Sequence, residues 1–212
     1  MLFFLGKIKK TKAKILGVEY LNGNMFSLDQ IDTSFTLFID RDGVLNHEKF
    51  EDYILNWMEF QFYDTTIEAL AILSPLFKKI ILVTNQKGVG KGVMSVADLE
   101  TIHFNMLQAI NKGGGRIDQI FYCPDLDNDS YNRKPNPGMA FQATEKYPEI
   151  DLSKSIMIGN RISDMGFGRN AGMHTVFLST THPEIDFPHP LIDLRFENLL
   201  DFANQLKKIT KS

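Results

Sequence analysis

The chain has 212 residues, of which 43% are hydrophobic, so it is long enough to bury one sizeable core. Its net charge of -3 offers no general attraction to nucleic acid, and its one cysteine, Cys123, excludes an intramolecular disulfide. No apolar stretch approaches the length of a membrane span. We therefore expect a monomeric cytoplasmic domain that binds neither nucleic acid nor membranes.

Residues 1–33 are predicted to form an N-terminal extension, and residues 34–212 the folded domain. The extension contains a lysine-rich stretch at residues 7–14 and an Asn22-Gly23 pair, which is typical of a two-residue hairpin turn. A solvated tail followed by a small hairpin is the favoured interpretation, and a basic arm on an anionic membrane surface is the alternative. The sequence leaves open whether Met25 is the true start.

The apolar run at residues 35–39 predicts a buried strand that delivers Asp40 and Asp42 into a glycine-bearing turn. Side chains two residues apart on an extended chain point the same way, so both carboxylates can face one ligand while Arg41 points elsewhere. Like charges this close become tolerable when a cation lies between them or when one carboxyl keeps its proton. A surface turn is the alternative for this segment alone.

Three further strands are predicted, a buried one at residues 80–83 and two more at 119–122 and 155–158, and each leads into polar residues. A hydroxyl and two amides follow the first of them, a cationic pair the second, and an amide and a carboxylate the third: Thr84, Asn85, Gln86, Arg133, Lys134, Asn160 and Asp164. Hydroxyl and amide groups are suited to holding phosphate oxygens. Because ligands of open α/β sheets bind at the carboxyl ends of strands, these side chains are expected to form one site.

Helical patterns alternate with the strands, which favours an α/β fold with a parallel sheet covered by helices on both faces. Asp64 is predicted to cap the first helix, and Ser95 with Asp98 to open the longest one. The glycines at 113–115 end that helix, and residues 196–208 form a terminal amphipathic helix.

The order of these motifs resembles the haloacid dehalogenase superfamily, and more closely its capless branch that includes histidinol-phosphate phosphatase and D,D-heptose 1,7-bisphosphate phosphatase. The resemblance runs from about residue 35 to 178 and is carried by DRDGVLN at 40–46, TNQ at 84–86, RKPNPGM at 133–139 and IGNRISDM at 158–165. It implies a three-layer, doubly wound, Rossmann-type parallel sheet. The spacing of the motifs leaves no room for a cap domain, so residues 47–57 and 123–132 are expected to determine specificity.

The resemblance also implies roles for the candidate residues. Asp40 would attack phosphorus to form an aspartyl-phosphate, and Asp42 would protonate the leaving alkoxide and then deprotonate water. Thr84, Lys134 and Mg²⁺ would neutralise the phosphate oxygens. The substrate-binding candidates are Asn46, Tyr53, Asn85, Gln86, Lys87 and Arg133, with His47 and Trp57 in the substrate loop. The magnesium ligands would be Asp40, Asp42, Asn160 and Asp164.

The sequence departs from the family pattern in two ways. Asn160 replaces the first acid of the fourth motif, so one negative charge is lost and weaker magnesium binding is expected, although an amide oxygen can coordinate a hard cation. The alternative is that Asp164 supplies the missing carboxylate, directly or through water. Many relatives also carry a four-ligand zinc loop. Here Cys123 remains, while Asp125, Ser130 and Asn132 occupy what look like the other ligand positions, so no zinc is expected.

The sequence thus predicts a magnesium-dependent phosphatase that hydrolyses a small phosphorylated metabolite through an aspartyl-phosphate intermediate. The substrate would be a sugar phosphate, such as D,D-heptose 1,7-bisphosphate, or histidinol phosphate. One alternative is a capless phosphatase of a macromolecular phosphate, a nucleic-acid end or a phosphoprotein, which the acidic charge balance disfavours. The other, motivated by Asn160, is a non-catalytic phosphate-binding member of the family.

Overall fold

The computed structural model describes residues 26–210, so the predicted hairpin and lysine-rich stretch of the extension lie outside the described residues. Within that range the strands are β1 (Thr36–Ile39), β2 (Lys79–Asn85), β3 (Gln119–Cys123), β4 (Ser155–Gly159), β5 (His174–Leu178) and β6 (Leu194–Phe196). They form one sheet in the order β3-β2-β1-β4-β5-β6. Every neighbouring pair is parallel.

The described α-helices are α1 (Thr66–Leu73), α2 (Lys87–Gly90), α3 (Val96–Lys112), α4 (Gly138–Lys146), α5 (Ile162–Asn170) and α6 (Leu199–Thr210). Short 3-10 helices cover Leu28–Gln30, Trp57–Glu59, Ser74–Leu76 and Leu152–Lys154. Ser95 and Asp98 form the predicted capping box at the start of α3, and Gly113 follows its last residue. No helix of this part of the chain is long and apolar enough to cross a membrane.

The sheet separates two hydrophobic cores, because successive side chains of a strand point to opposite faces. In β1, Leu37 and Ile39 enter the larger core, which also contains Leu70 of α1 and Phe202 of α6. Phe38 enters the smaller core with residues of α4 and α5. All four β1 residues are buried. The predicted three-layer, doubly wound sheet is therefore confirmed, and in the described range no second sheet or cap interrupts it.

Two predicted helix starts are wrong. α1 begins at Thr66 with Thr65 at its N-cap position, so Asp64 does not cap it. Phe196 belongs to β6 rather than to the terminal helix, which begins at Leu199. The backbone of β6 pairs with β5, where Leu194 lies opposite Val176. A strand of three residues is too short to produce a recognisable period in the sequence.

Part of the predicted extension packs on the domain. Phe26, Leu28 and Ile31 are buried in the larger core. The ring of Phe26 stacks on His174 at the start of β5, with 3.8 Å between the ring centroids. Phe26 therefore lies at the end of the sheet opposite the carboxyl ends of the strands, where β5 begins.

Asp193, the residue directly before β6, is held by contacts with β5 and α5. Its carboxylate accepts a hydrogen bond from the Thr175 backbone N–H (2.9 Å) and forms ion pairs with Arg169 (2.5 Å) and His174 (3.8 Å). Burial acts to raise the pKa of Asp193, but the bonds from His174, Arg169 and Thr175 outweigh it and lower the pKa to about 2. The stability that this carboxylate contributes is therefore present above its unfolded pKa of 3.8 and is lost as the pH falls toward 2.

We expect Asp193→Asn to lower the free energy of unfolding at pH 7 by about 2 kcal/mol, since one pKa unit corresponds to about 1.4 kcal/mol. The difference from wild type should shrink between pH 4 and pH 2. Urea unfolding at a series of pH values measures it, with Asp186→Asn as a control for removing an exposed carboxylate. An equal loss of stability for both variants would contradict the assignment.

Candidate active site

A cleft of about 450 Å³ opens at the carboxyl ends of the central strands. Ten of the predicted site residues line it: Asp40, Asp42, Tyr53, Thr84, Asn85, Gln86, Lys87, Arg133, Lys134 and Asp164. The other two, Asn46 and Asn160, are fully buried and are not among its lining residues. The four motifs thus converge on one cleft because the strands that carry them are parallel and share one sheet edge.

Lys134 lies at the floor of the cleft and is almost fully buried. Its ammonium group is 2.8 Å from Asp40 Oδ1 and 2.7 Å from Asp164 Oδ1, and it donates to the backbone carbonyl of Val83 (2.9 Å). Burial acts to lower the pKa of Lys134, but Asp164 and Asp40 outweigh it and raise the pKa. Lys134 is therefore a permanent cation between two carboxylates.

Asp40 follows the last residue of β1, and its backbone N–H continues the sheet by donating to the Ile158 carbonyl (3.0 Å). Burial raises the pKa of Asp40 to about 7, and the neighbouring Asp164 and Asp42 act in the same direction, against Lys134. The backbone N–H of Arg41 donates to Asp40 Oδ1 at 2.7 Å. A further cation beside Asp40 would favour its ionised, nucleophilic form.

Asp42 has the opposite environment, and the prediction that Arg41 points elsewhere is wrong. The buried Arg41 guanidinium holds the Asp42 carboxylate, with 2.9 Å from Nη2 to Oδ2. Asn46 and Gln86 donate to the same carboxylate at 2.9 and 3.0 Å. Burial acts to raise the pKa of Asp42, but Arg41, Asn46 and Gln86 outweigh it and lower the pKa.

The turn after β1 explains the position of Arg41. Gly43 has a φ of +82°, and the Leu45 backbone N–H donates to the Arg41 carbonyl at 2.8 Å. The chain therefore leaves the extended conformation directly after Asp40, and the alternation of side chains expected for a strand no longer applies. A Cβ at position 43 would also lie 2.0 Å from the Asn160 amide, so glycine is required on both counts.

The two amides predicted to hold phosphate oxygens are engaged by the protein instead. Asn85 donates to the Lys134 carbonyl and accepts from the Lys134 backbone N–H, both at 3.1 Å. Gln86 donates to Thr84 Oγ1 (2.9 Å) as well as to Asp42, and accepts from Arg41 (3.2 Å). In the described structure these side chains position Lys134 and Asp42, which leaves the Thr84 hydroxyl hydrogen available to a ligand.

Of the three substrate-loop residues that were singled out, Tyr53 lines the cleft and His47 and Trp57 do not. His47 packs on Tyr63 with ring centroids 4.1 Å apart, and Trp57 stacks on Phe60 at 5.1 Å, so neither lines the cleft. Glu48, Lys49 and Asp52 of the same loop do line it, as do Arg41, Asn128 and Arg161. The only sequence signal for Glu48, Lys49 and Asp52 was their position in the loop. A single sequence does not show which side chains of a loop point into a cleft.

The predicted magnesium ligands differ in how far their oxygens are engaged. Both oxygens of Asp164 are occupied, Oδ1 by Lys134 and Oδ2 by the Arg161 backbone N–H at 3.0 Å. Asn160 Oδ1 is buried and accepts no hydrogen bond from the described residues. Within residues 26–210 no three His, Cys, Asp or Glu side chains converge as a metal site. Mg²⁺ often takes one or two protein oxygens together with phosphate and water, so Asp40 and Asn160 fit it. Asp164 does not, and neither does the Asp42 side chain, whose carboxylate is held by Arg41, Asn46 and Gln86.

The positions that correspond to the zinc loop are engaged in protein contacts. Cys123 is fully buried at the end of β3. Asp125 and Ser130 are hydrogen-bonded to each other, and Asn132 accepts from Gln142 at 3.0 Å. The absence of zinc stays a prediction, which elemental analysis of the purified protein tests.

Comparisons with known proteins identify the family. Residues 131–184 match the Hydrolase_like family model, described as HAD-hydrolase-like. The chain is 36% identical to D-glycero-alpha-D-manno-heptose-1,7-bisphosphate 7-phosphatase of Photorhabdus laumondii, over 69% of this chain and 83% of that protein. It is 31% identical to the enzyme of that name from Mycobacterium bovis, over 79% and 88% of the two chains.

A solved structure agrees with these sequence matches. It is the D,D-heptose 1,7-bisphosphate phosphatase of B. bronchiseptica in complex with magnesium and phosphate, which is 28% identical to this chain. It superimposes with a TM-score of 0.73 and covers 82% of this chain and 98% of that one. The chain is therefore a phosphatase of the haloacid dehalogenase superfamily and belongs to the capless branch that includes the heptose bisphosphate phosphatases.

Proposed function

We propose that this phosphatase hydrolyses a phosphorylated sugar in a magnesium-dependent reaction, through an aspartyl-phosphate on Asp40. The observation that carries the proposal is the pair of carboxylates in one cleft with oppositely displaced pKa values, Asp40 raised and Asp42 lowered. Two carboxylates in different environments are suited to two different roles. The Thr84 hydroxyl lies in the same cleft and can donate to a phosphate oxygen, while Lys134, whose ammonium is engaged by Asp40, Asp164 and the Val83 carbonyl, contributes its positive charge.

In the first step an oxygen of Asp40 forms a bond to phosphorus, and the bond from phosphorus to the sugar oxygen breaks. Asp42 donates a proton to the departing alkoxide, so the sugar leaves as an alcohol. In the second step Asp42 takes a proton from water, whose oxygen attacks phosphorus and releases Asp40 and phosphate. Bound Mg²⁺, held by Asp40 and Asn160, would neutralise phosphate charge in both steps.

Asp42 must acquire its proton in the substrate complex, because in the free protein Arg41, Asn46 and Gln86 keep it ionised. A phosphate ester brings negative charge beside Asp42, which raises the pKa of that carboxyl. A monoanionic phosphate also carries a proton that can pass to Asp42. The same contacts with Arg41 then stabilise the carboxylate after it has given the proton to the sugar oxygen.

Asp42→Asn is expected to slow hydrolysis of a sugar phosphate by roughly 10²- to 10⁴-fold, the usual cost of losing general acid–base catalysis. The loss should be smaller for p-nitrophenyl phosphate, whose leaving group departs with little protonation. Steady-state kinetics on both substrates measure the difference. The same loss of kcat on both would remove the acid role from Asp42.

The charge around the cleft supports a substrate with more than one anionic group. Lys87 and Arg133 line it in addition to Lys134, as do Lys49 and Arg161, which are paired with Glu59 and Glu48. The Arg133 guanidinium is held by Asn128 Oδ1 (3.3 Å) and the Asp125 carbonyl (3.4 Å), so its planar fork is oriented before a ligand arrives. The relatives named above act on a heptose bisphosphate, and we propose a sugar bisphosphate of this type as the substrate.

Phosphate release from a panel of substrates tests the proposal. The panel contains a heptose 1,7-bisphosphate, histidinol phosphate and a 3′-phosphorylated oligonucleotide, each with and without magnesium. We expect the sugar bisphosphate to have the highest kcat/KM and to require magnesium. Preference for histidinol phosphate or the oligonucleotide would contradict the substrate class, and no release from any substrate would favour the non-catalytic alternative.

A further inference from the structure

Asn160 and Glu48 form a pair that joins the fourth motif to the substrate loop. The Asn160 amide nitrogen donates to Thr181 Oγ1 at 2.6 Å and lies 3.5 Å from Glu48 Oε2. This fixes the amide so that its oxygen, Asn160 Oδ1, is the atom left without a partner among the described residues. The carboxylate of Glu48 thus lies beside the candidate magnesium ligand.

Glu48 is held in this position rather than mobile. Its two carboxylate oxygens each accept from Arg161 Nη2 at 3.0 Å, and its side chain is only 17% exposed. Glu48 lines the same cleft as Asp40. Glu48 therefore offsets the positive charge of Arg161 at the border of the cleft, from a partly desolvated position where Coulomb interactions are weakened less than in bulk water.

An aspartate at position 160 would bring a second carboxylate next to Glu48. In the rotamer of Asn160 it would place a carboxylate oxygen about as close to Glu48 as the present amide nitrogen, which is 3.5 Å away. Two carboxylates at that distance repel each other unless a cation or proton lies between them. The neutral amide at 160 and the acid at 48 are therefore electrostatically matched.

We propose that Glu48 supplies the negative charge that Asn160 lacks, and so completes the electrostatic environment of the magnesium ion bound by Asp40 and Asn160. The inference rests on the proposed magnesium dependence and assigns to Glu48 a positioning role, because its carboxylate acts on the metal through Asn160 or a bridging water.

The test is calorimetric titration of the full-length protein with Mg²⁺ in the absence of substrate. Glu48→Gln is expected to weaken magnesium binding tenfold or more, which corresponds to about 1.4 kcal/mol. The matched control is Asp52→Asn, which removes an equal charge from the same loop and the same cleft but from an exposed side chain. It should change the dissociation constant less than threefold.

A rescue variant separates a loss of charge from a damaged fold. Asn160→Asp combined with Glu48→Gln transfers the carboxylate from residue 48 to the neighbouring residue 160. This double variant should restore the dissociation constant for Mg²⁺ to within threefold of wild type. If wild type binds magnesium and Glu48→Gln binds it equally well, the role of Glu48 is contradicted and the proposed function stands. An equal loss for Asp52→Asn, or no rescue by the double variant, would also overturn it. If wild type binds no magnesium, the proposed metal dependence fails as well.

Discussion

Asp40→Asn is expected to reduce turnover of a sugar phosphate by roughly 10⁴- to 10⁶-fold, the scale seen when an enzyme loses its nucleophile. The amide has nearly the shape of the carboxylate but is a poor nucleophile, so no aspartyl-phosphate can form. Steady-state phosphate release with magnesium measures the effect on protein purified free of other phosphatases. Activity within tenfold of wild type would contradict the role of Asp40.

The same substitution is expected to leave the metal-free protein at least as stable as wild type. Burial raises the folded-state pKa of Asp40 to about 7, above its unfolded value of 3.8, so the folded protein holds this proton more tightly. The group therefore destabilises the folded state increasingly as the pH rises from about 4 to 7, and an amide removes that dependence. Thermal unfolding without magnesium at pH 5 and pH 8 measures this, and a large loss of stability at pH 8 would contradict it.

Lys134→Met is expected to lower the free energy of unfolding at neutral pH by about 3–5 kcal/mol, because it leaves two buried carboxylates without their cation. Those carboxylates are Asp40 and Asp164, which lie 2.8 and 2.7 Å from the lysine nitrogen. The loss should be smaller at pH 5 than at pH 7.5, since carboxyls without a cation take up protons more readily. Urea unfolding in magnesium-free buffer at both pH values measures it.

A double-mutant cycle shows whether charge causes this loss. Lys134→Met in an Asp40→Asn background leaves only Asp164 uncompensated, so the lysine substitution should cost less there than in wild type. The same cost in both backgrounds would mean that lost packing of the lysine side chain, rather than lost charge compensation, destabilises the protein.

The sequence was sufficient to predict the features that depend on local patterns. The apolar runs at 80–83 and 155–158 correspond to β2 and β4, because strands buried on both faces are apolar throughout. The run at 119–122 corresponds to β3, which lies at the sheet edge and is half-buried up to Cys123. A polar residue directly after such a run must lie at the carboxyl edge of a parallel sheet. Asp40 and Thr84 each follow an apolar run, and both line the cleft as predicted.

Contacts between distant segments could not be predicted in the same way. Arg41 turns back onto Asp42 because Gly43 ends the extended conformation, and no periodicity reports that. Glu48 and Arg161 are 113 residues apart, and a single sequence does not indicate which loop acid meets which arginine. The roles of such residues follow from the packing of one motif on another.

The covalent role of Asp40 is tested most directly by trapping the enzyme during turnover. Wild-type protein with magnesium and a sugar bisphosphate is quenched in acid within one turnover, digested and examined by mass spectrometry. We predict one phosphoryl group on the peptide that contains Asp40, and none when Asp40→Asn is treated identically. Release of phosphate from wild type without phosphorylation of Asp40, or with phosphorylation of another residue, would contradict the mechanism.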